Sequence, residues 1–196
     1  MQKMETSKGR IVIVSGPSGV GKSTICKELA KKLKNAYLSV SVTTRPKGPN
    51  EVDGRDYWFV SEKDFRERLD RGLFLEHAEV FGNLYGTPKD KVDEAMEAGK
   101  TAILEIDVQG AQQVRTVFPD ALMIFVLPPS TKTLAARIDH RGRETTRAAE
   151  ERLEEASTEI AAGWQHYEHM VINENLQQAV KECLQIIKKQ GQTGKK

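Results

Sequence analysis

Apolar residues follow two rhythms along this chain. Four short runs are apolar at nearly every position: IVIV at 11–14, AILEI at 102–106, LMIFVL at 122–127 and MVIN at 170–173. A strand with one wet face alternates, so continuous runs predict strands covered on both faces, as in a parallel sheet. Each run is followed by a segment with the period of an amphipathic helix. In STICKELAKKLK, residues 23–34, Ile25, Leu29 and Leu33 fall on one helical face. The segments VQGAQQVRTVF, STKTLAARIDHR and LQQAVKECLQIIKK repeat the pattern. Strand and helix in alternation predict an α/β fold, a parallel sheet with helices on both faces.

Two stretches break the alternation. Residues 41–98 hold the Pro/Gly-rich run TTRPKGPNEVDG, then the strand-like YWFV and FLEHAEVF. They predict a small β-rich insertion. Residues 137–160 carry many arginines and glutamates on a helical pattern with few large apolar groups. Such a segment has little core to hold it and is expected to move. The predicted division is one domain over 1–196. Its core is 9–40, 99–135 and 162–196, its insertion 41–98, and its helical lid 136–161.

Composition narrows the choice of function. A chain of 196 residues suits one domain with a real core. Its 30 Lys+Arg against 28 Asp+Glu leave a net charge of +2, too little to argue for nucleic acid or an anionic membrane as a main partner. The longest apolar stretch, ALMIFVL at 121–127, is too short to span a bilayer. The polar N-terminus MQKMETSKGR lacks the apolar core of a secretory signal. Cys26 and Cys183 stand in no metal-ligand spacing and suggest no disulfide framework, so a cytoplasmic location is expected. His166 and His169 are three apart, with no third ligand evident.

The chemistry begins at GPSGVGKST: Gly16, Pro17, Ser18, Gly19, Val20, Gly21, Lys22, Ser23 and Thr24. Gly16-x-x-x-x-Gly21-Lys22-Ser23 is a complete phosphate-loop pattern, with the strand before it and the helix after it that the pattern requires. Glycines let the backbone turn its N–H groups onto a phosphate, and the helix N-terminus adds partial positive charge. Lys22 reaches the β- and γ-phosphates, and Ser23 offers its hydroxyl to Mg²⁺. This loop predicts ATP as a co-substrate. A GTPase should carry a guanine-reading Asn-Lys-x-Asp segment, and none occurs. Motors need more chain. A small kinase fits best, because phosphoryl transfer needs water excluded and negative charge neutralised.

The remaining blocks name an acceptor. SVSVTTR (39–45), EVDGRDYWFV (51–60), FLEHAEVFGNLYGT (74–87), LEIDVQGAQQV (104–114), LPPS (127–130), Arg137 to Arg141 with Arg152, and VIN (171–173) resemble the guanylate kinase family in order and spacing. The resemblance covers about residues 10 to 190. It implies a P-loop kinase fold and transfer of the ATP γ-phosphoryl to GMP with Mg²⁺. It implies that Glu76 accepts from guanine N1–H and N2–H, while Ser41 and Thr87 supply hydroxyls for O6. Adenine offers no such pair of donors, so the arrangement selects. Arg45, Tyr57 and Tyr85 would hold the GMP phosphate. Asp107 would lie near the base or in the magnesium water shell. Arg137 and Arg141, one helical turn apart, would converge with Arg152 on the transferring phosphoryl group.

This chain departs from the family at one instructive place. The family usually carries a second arginine three residues after Arg45, where this sequence has Gly48. Lys47 beside it is cationic but cannot offer a planar bidentate fork. The GMP phosphate is therefore expected to be held more weakly than in relatives with both arginines. Leu84 replaces a frequent tyrosine, a packing change. Three rival readings remain: a kinase of this architecture for another phosphorylated acceptor, a non-catalytic, protein-binding scaffold, and a nucleic-acid binder, which the near-neutral charge and the lack of aromatic-basic interleaving speak against. The base-reading residues speak against the first, and the intact phosphate loop against the second.

Overall fold

The computed structural model describes residues 9–139 and 146–193. The chain separates into two compact units. The first comprises 1–11, 35–104 and 109–121, and the second 12–34, 105–108 and 122–196. Both are mixed α/β, and their parallel strands with flanking helices match the fold class read from the apolar runs.

In the second unit, β1 (Arg10–Ser15) pairs in parallel with β8 (Leu122–Leu127), and β8 with β9 (His169–Ile172). The register sets Val14 opposite Ile124 and Phe125 opposite Met170. β1 leads through the glycine loop into α1 (Lys22–Lys32). Ile25 and Leu29 are buried on that helix as their spacing requires. Leu33, expected on the same face, is instead the extended residue that ends the helix, at φ −87°. α7 (Leu176–Thr193) buries Ala179, Val180, Cys183 and Ile187, a 3-4 spaced stripe. α5 (Thr131–Asp139) and α6 (Thr146–His166) meet through Leu134, Ala156 and Leu153. Gly163 on α6 lies so close to Phe125 that a Cβ would come within 2.8 Å of the ring.

In the first unit, β2 (Ala36–Leu38) pairs in parallel with β7 (Thr101–Glu105), followed by α4 (Val108–Val117). A second, four-stranded sheet runs in the order β4-β3-β6-β5. Its members are β3 (Val42–Thr43), β4 (Trp58–Phe59), β5 (Phe74–Val80) and β6 (Asn83–Pro88). β5 and β6 form an antiparallel hairpin around Phe81 and Gly82, both at positive φ. The stretch 41–98 is therefore strand-bearing as its pattern predicts, but it also holds two helices, α2 (Glu62–Asp70) and α3 (Lys89–Glu97). The start of α2 is encoded locally: Ser61 accepts the Asp64 N–H at 3.1 Å, a side-chain cap. Its single buried residue, Phe65, stacks on Phe74 at 4.5 Å between centroids. Phe65 and Leu69 alone are apolar in its nine residues, too few to read a helical period from.

Candidate active site

The phosphate loop takes the conformation its glycines permit. Gly16, Gly19 and Gly21 have φ of 144°, 82° and 102°, a region that side chains disfavour. At Gly16 a Cβ would also meet the Val126 carbonyl oxygen at 2.3 Å. α1 then starts at Lys22 with no side-chain cap and no acidic residue in its first turn. A helix start left this way keeps its orphan N–H groups and partial positive charge for an anion. Lys22 folds back over the loop and donates to the carbonyls of Gly16 and Pro17, the latter at 3.1 Å. The negative ends of those carbonyl dipoles face its ammonium group.

Two residues that the sequence did not single out brace this loop. Asn173, just beyond β9, donates from Nδ2 to the Val20 carbonyl at 2.8 Å, and its own N–H binds the Leu127 carbonyl. Glu105, at the end of β7, accepts the Ser23 hydroxyl at 2.6 Å. The loop motif identifies Ser23, but its partner lies 82 residues away, and only the position at the end of an apolar strand hints at it. Asp107 follows two residues on, and its main-chain carbonyl accepts weakly from Ser15 at 3.5 Å. Burial chiefly drives the pKa of the Tyr167 hydroxyl upward, and Ser15 opposes the rise.

The hairpin brings Glu76 and Thr87 together. They are cross-strand partners in the β5–β6 register, both buried, and the Thr87 hydroxyl donates to Glu76 Oε1 at 2.6 Å. A carboxylate only 4% exposed is unusual and requires donors. Ser41 precedes β3, and its carbonyl accepts the Trp58 N–H.

The residues expected to hold a phosphate also converge. Tyr57 and Tyr85 meet edge-to-face with centroids 5.9 Å apart. The Arg45 guanidinium lies 5.4 Å from the Tyr57 ring and 5.8 Å from Phe59. Arg45 is fixed by Glu51 in a bidentate ion pair, 2.7 Å on one arm and 3.1 Å on the other. The hydrogen bonding of Arg45 to Glu51 raises the Arg45 pKa, burial opposes the rise, and Tyr85 adds to it. Gly48 is buried, and its N–H donates to Glu51 at 2.6 Å. Arg141 lies outside the described residues. Arg137 and Arg152 fall on α5 and α6, but their side chains are outside the description as well.

An uncapped helix behind a glycine loop, with a lysine and a hydroxyl at its start, defines a P-loop phosphotransferase of the nucleotide-kinase class. Within that class, a family model described as guanylate kinase matches residues 8–190. The chain belongs to the guanylate kinase family. It is 47% identical over 180 residues to a guanylate kinase of Symbiobacterium thermophilum, covering 92% of this chain and 85% of that protein. It is 45% identical over 184 residues to one of Clostridioides difficile, covering 94% and 89%. A crystal structure of guanylate kinase from Anaplasma phagocytophilum superposes with a TM-score of 0.78 at 33% identity, over 93% of this chain and 86% of that one.

Proposed function

We propose that this protein transfers the γ-phosphoryl group of ATP to GMP, giving ADP and GDP, and that the residues above divide the work as follows. The amides of 16–24 and Lys22 hold the donor phosphates. Glu76 reads guanine N1–H and N2–H. The single hydroxyl hydrogen of Thr87 already points at Glu76, so Thr87 orients the carboxylate and Ser41 is the donor to O6. Arg45, Tyr57 and Tyr85 take the GMP phosphate. Arg137, Arg141 and Arg152 spread the charge of the transferring group. The observation that carries the reading is the buried Glu76–Thr87 pair, because a sugar phosphate would have no use for it.

The donors around Ser23 suit magnesium. A hydroxyl and the Glu105 carboxylate are hard oxygen ligands, and Mg²⁺ takes few protein ligands beside water and substrate phosphates. Ser23 and Glu105 would hold it, with Asp107 in its water shell. Bound there, magnesium would supply positive charge to offset that of the donor phosphates. The protein forms no covalent intermediate; it positions, excludes water and supplies fixed donors. A cytoplasmic setting, where both nucleotides and reduced thiols coexist, fits the two buried, unbonded cysteines. Among the described residues no helix is long and apolar enough to cross a membrane.

The test is a coupled assay with ATP and Mg²⁺, comparing GMP, dGMP, AMP, UMP and no acceptor. GMP is expected to be turned over and AMP not. Glu76→Gln should lower kcat/KM for GMP roughly 10- to 150-fold, the equivalent of a charged hydrogen bond worth ~1.5–3 kcal/mol. Lys22→Ala should abolish turnover. Unchanged GMP-over-AMP discrimination in Glu76→Gln would refute the base-reading assignment.

A further inference from the structure

Glu51, in the loop between β3 and β4, is bound to Arg45 of the phosphate-holding cluster. Its Oε1 accepts from Arg45 Nη2 at 2.7 Å, and its Oε2 accepts from Arg45 Nη1 at 3.1 Å. Oε2 also accepts the Gly48 N–H at 2.6 Å. Arg45 Nη1 donates further to the Pro46 carbonyl at 2.9 Å. A guanidinium has five N–H groups. Nη1 therefore uses both of its hydrogens within the loop, and Nη2 uses one. The second Nη2 hydrogen and the Nε hydrogen form the opposite edge of the plane, a parallel pair spaced for two oxygens of one phosphate, and the Tyr85 side chain hydrogen-bonds the same guanidinium. Tyr57 and Phe59 pack against the same guanidinium and limit its tilt.

A carboxylate so near a phosphate subsite has two opposed effects. Its charge repels a dianion. Its hydrogen bonds hold the arginine in one rotamer before the ligand arrives, which lowers the ordering cost of binding. Where the loop has one arginine in place of two, preorganisation of that arginine matters more. The Gly48 backbone N–H ties down the same carboxylate.

We propose that Glu51 is a positioning residue for GMP, presetting the outer edge of Arg45 to receive the phosphate. This rests on the reading of Arg45 as a phosphate ligand. In the coupled assay with the full chain, Glu51→Gln is expected to raise KM for GMP about 10-fold, as loss of a preset bidentate geometry would. Turnover at saturation and KM for ATP should stay within about 2-fold, because the interaction is with GMP alone. Guanosine, which has no phosphate, should compete with GMP at an unchanged inhibition constant. In an Arg45→Ala background, Glu51→Gln should have no further effect on KM. Glu51→Asp keeps the charge but withdraws it by one methylene; it should fall between wild type and Glu51→Gln, and it serves where the glutamine variant fails to fold. An unchanged or lowered KM for GMP in these variants overturns the proposal, since repulsion would then outweigh positioning. Equal weakening of guanosine overturns it too, by making Glu51 a general loop brace. If Arg45→Ala itself leaves KM for GMP unchanged, it is the phosphate-subsite reading that fails.

Discussion

Glu76 and Thr87 each answer a need of the other. A carboxylate withdrawn from water needs donors, and a buried hydroxyl needs an acceptor. Thr87→Val keeps the shape but removes the donor, so it should cost about 1–3 kcal/mol in urea unfolding. Thr87→Ser should recover most of that loss, which rules out a simple packing defect. Lys47 is the other residue whose role a single substitution decides. It is exposed, next to the buried Gly48. If it stands in for the missing arginine, Lys47→Ala should raise KM for GMP several-fold; a rim charge that merely steers would change KM by less and lose its effect in salt. An unchanged KM would leave Arg45 and the two tyrosines as the whole clamp.

At the scale of the element, strand, loop and helix act as one device. β1 is buried throughout its apolar run, the loop reverses through three positive-φ glycines, and α1 starts without a cap. All of this was legible, because backbone sterics and helix-end electrostatics act over a few residues. The brace from Asn173 was not, since it depends on where β9 ends beside β8. Gly21 joins the two levels. It is left-handed, and a Cβ on it would come within 2.6 Å of the Asn173 amide. Gly21→Ala should therefore weaken ATP binding at least about 10-fold and lower stability by ~1–3 kcal/mol from backbone strain alone. An unchanged KM for ATP would show that the loop tolerates displacement of Asn173. The helices α2 and α3 were missed for a related reason. Each buries only one or two residues, so periodicity does not mark them; α2 has its Ser61 cap, and α3 has no side-chain cap.

At the scale of the whole molecule, the two cysteines report on the integrity of the α1–α7 packing. Both are fully buried and unbonded. Burial pushes the Cys183 thiol up from 9.0 to about 12, with the Glu182 charge adding to it. Burial also raises Cys26 well above its ordinary value, with the charges of Glu105 and Cys183 contributing. Iodoacetamide at pH 8 should label neither until the protein is unfolded. The folded thiol keeps its proton to higher pH than the unfolded one. Its contribution to stability is therefore complete below about pH 9 and falls as pH rises toward 12, by roughly 1 kcal/mol at pH 10. Urea midpoints at pH 7.5 and 10 should differ more for wild type than for Cys183→Ala. An equal difference would mean that Cys183 titrates like an exposed thiol.

The sequence by itself determined the strand–helix alternation and the phosphate loop, while the residues expected to read guanine and hold its phosphate came from its resemblance to the guanylate kinase family. Those features depend on short-range sterics, on periodicity, and on the donor and acceptor inventory of single side chains. Only the tertiary structure decided that Thr87 gives its hydrogen to Glu76, that Glu105 takes the hydroxyl of Ser23, and that Glu51 fixes Arg45. Such pairings depend on strand register and loop path. Register is set by the packing of many residues at once, so no local stretch of sequence contains it.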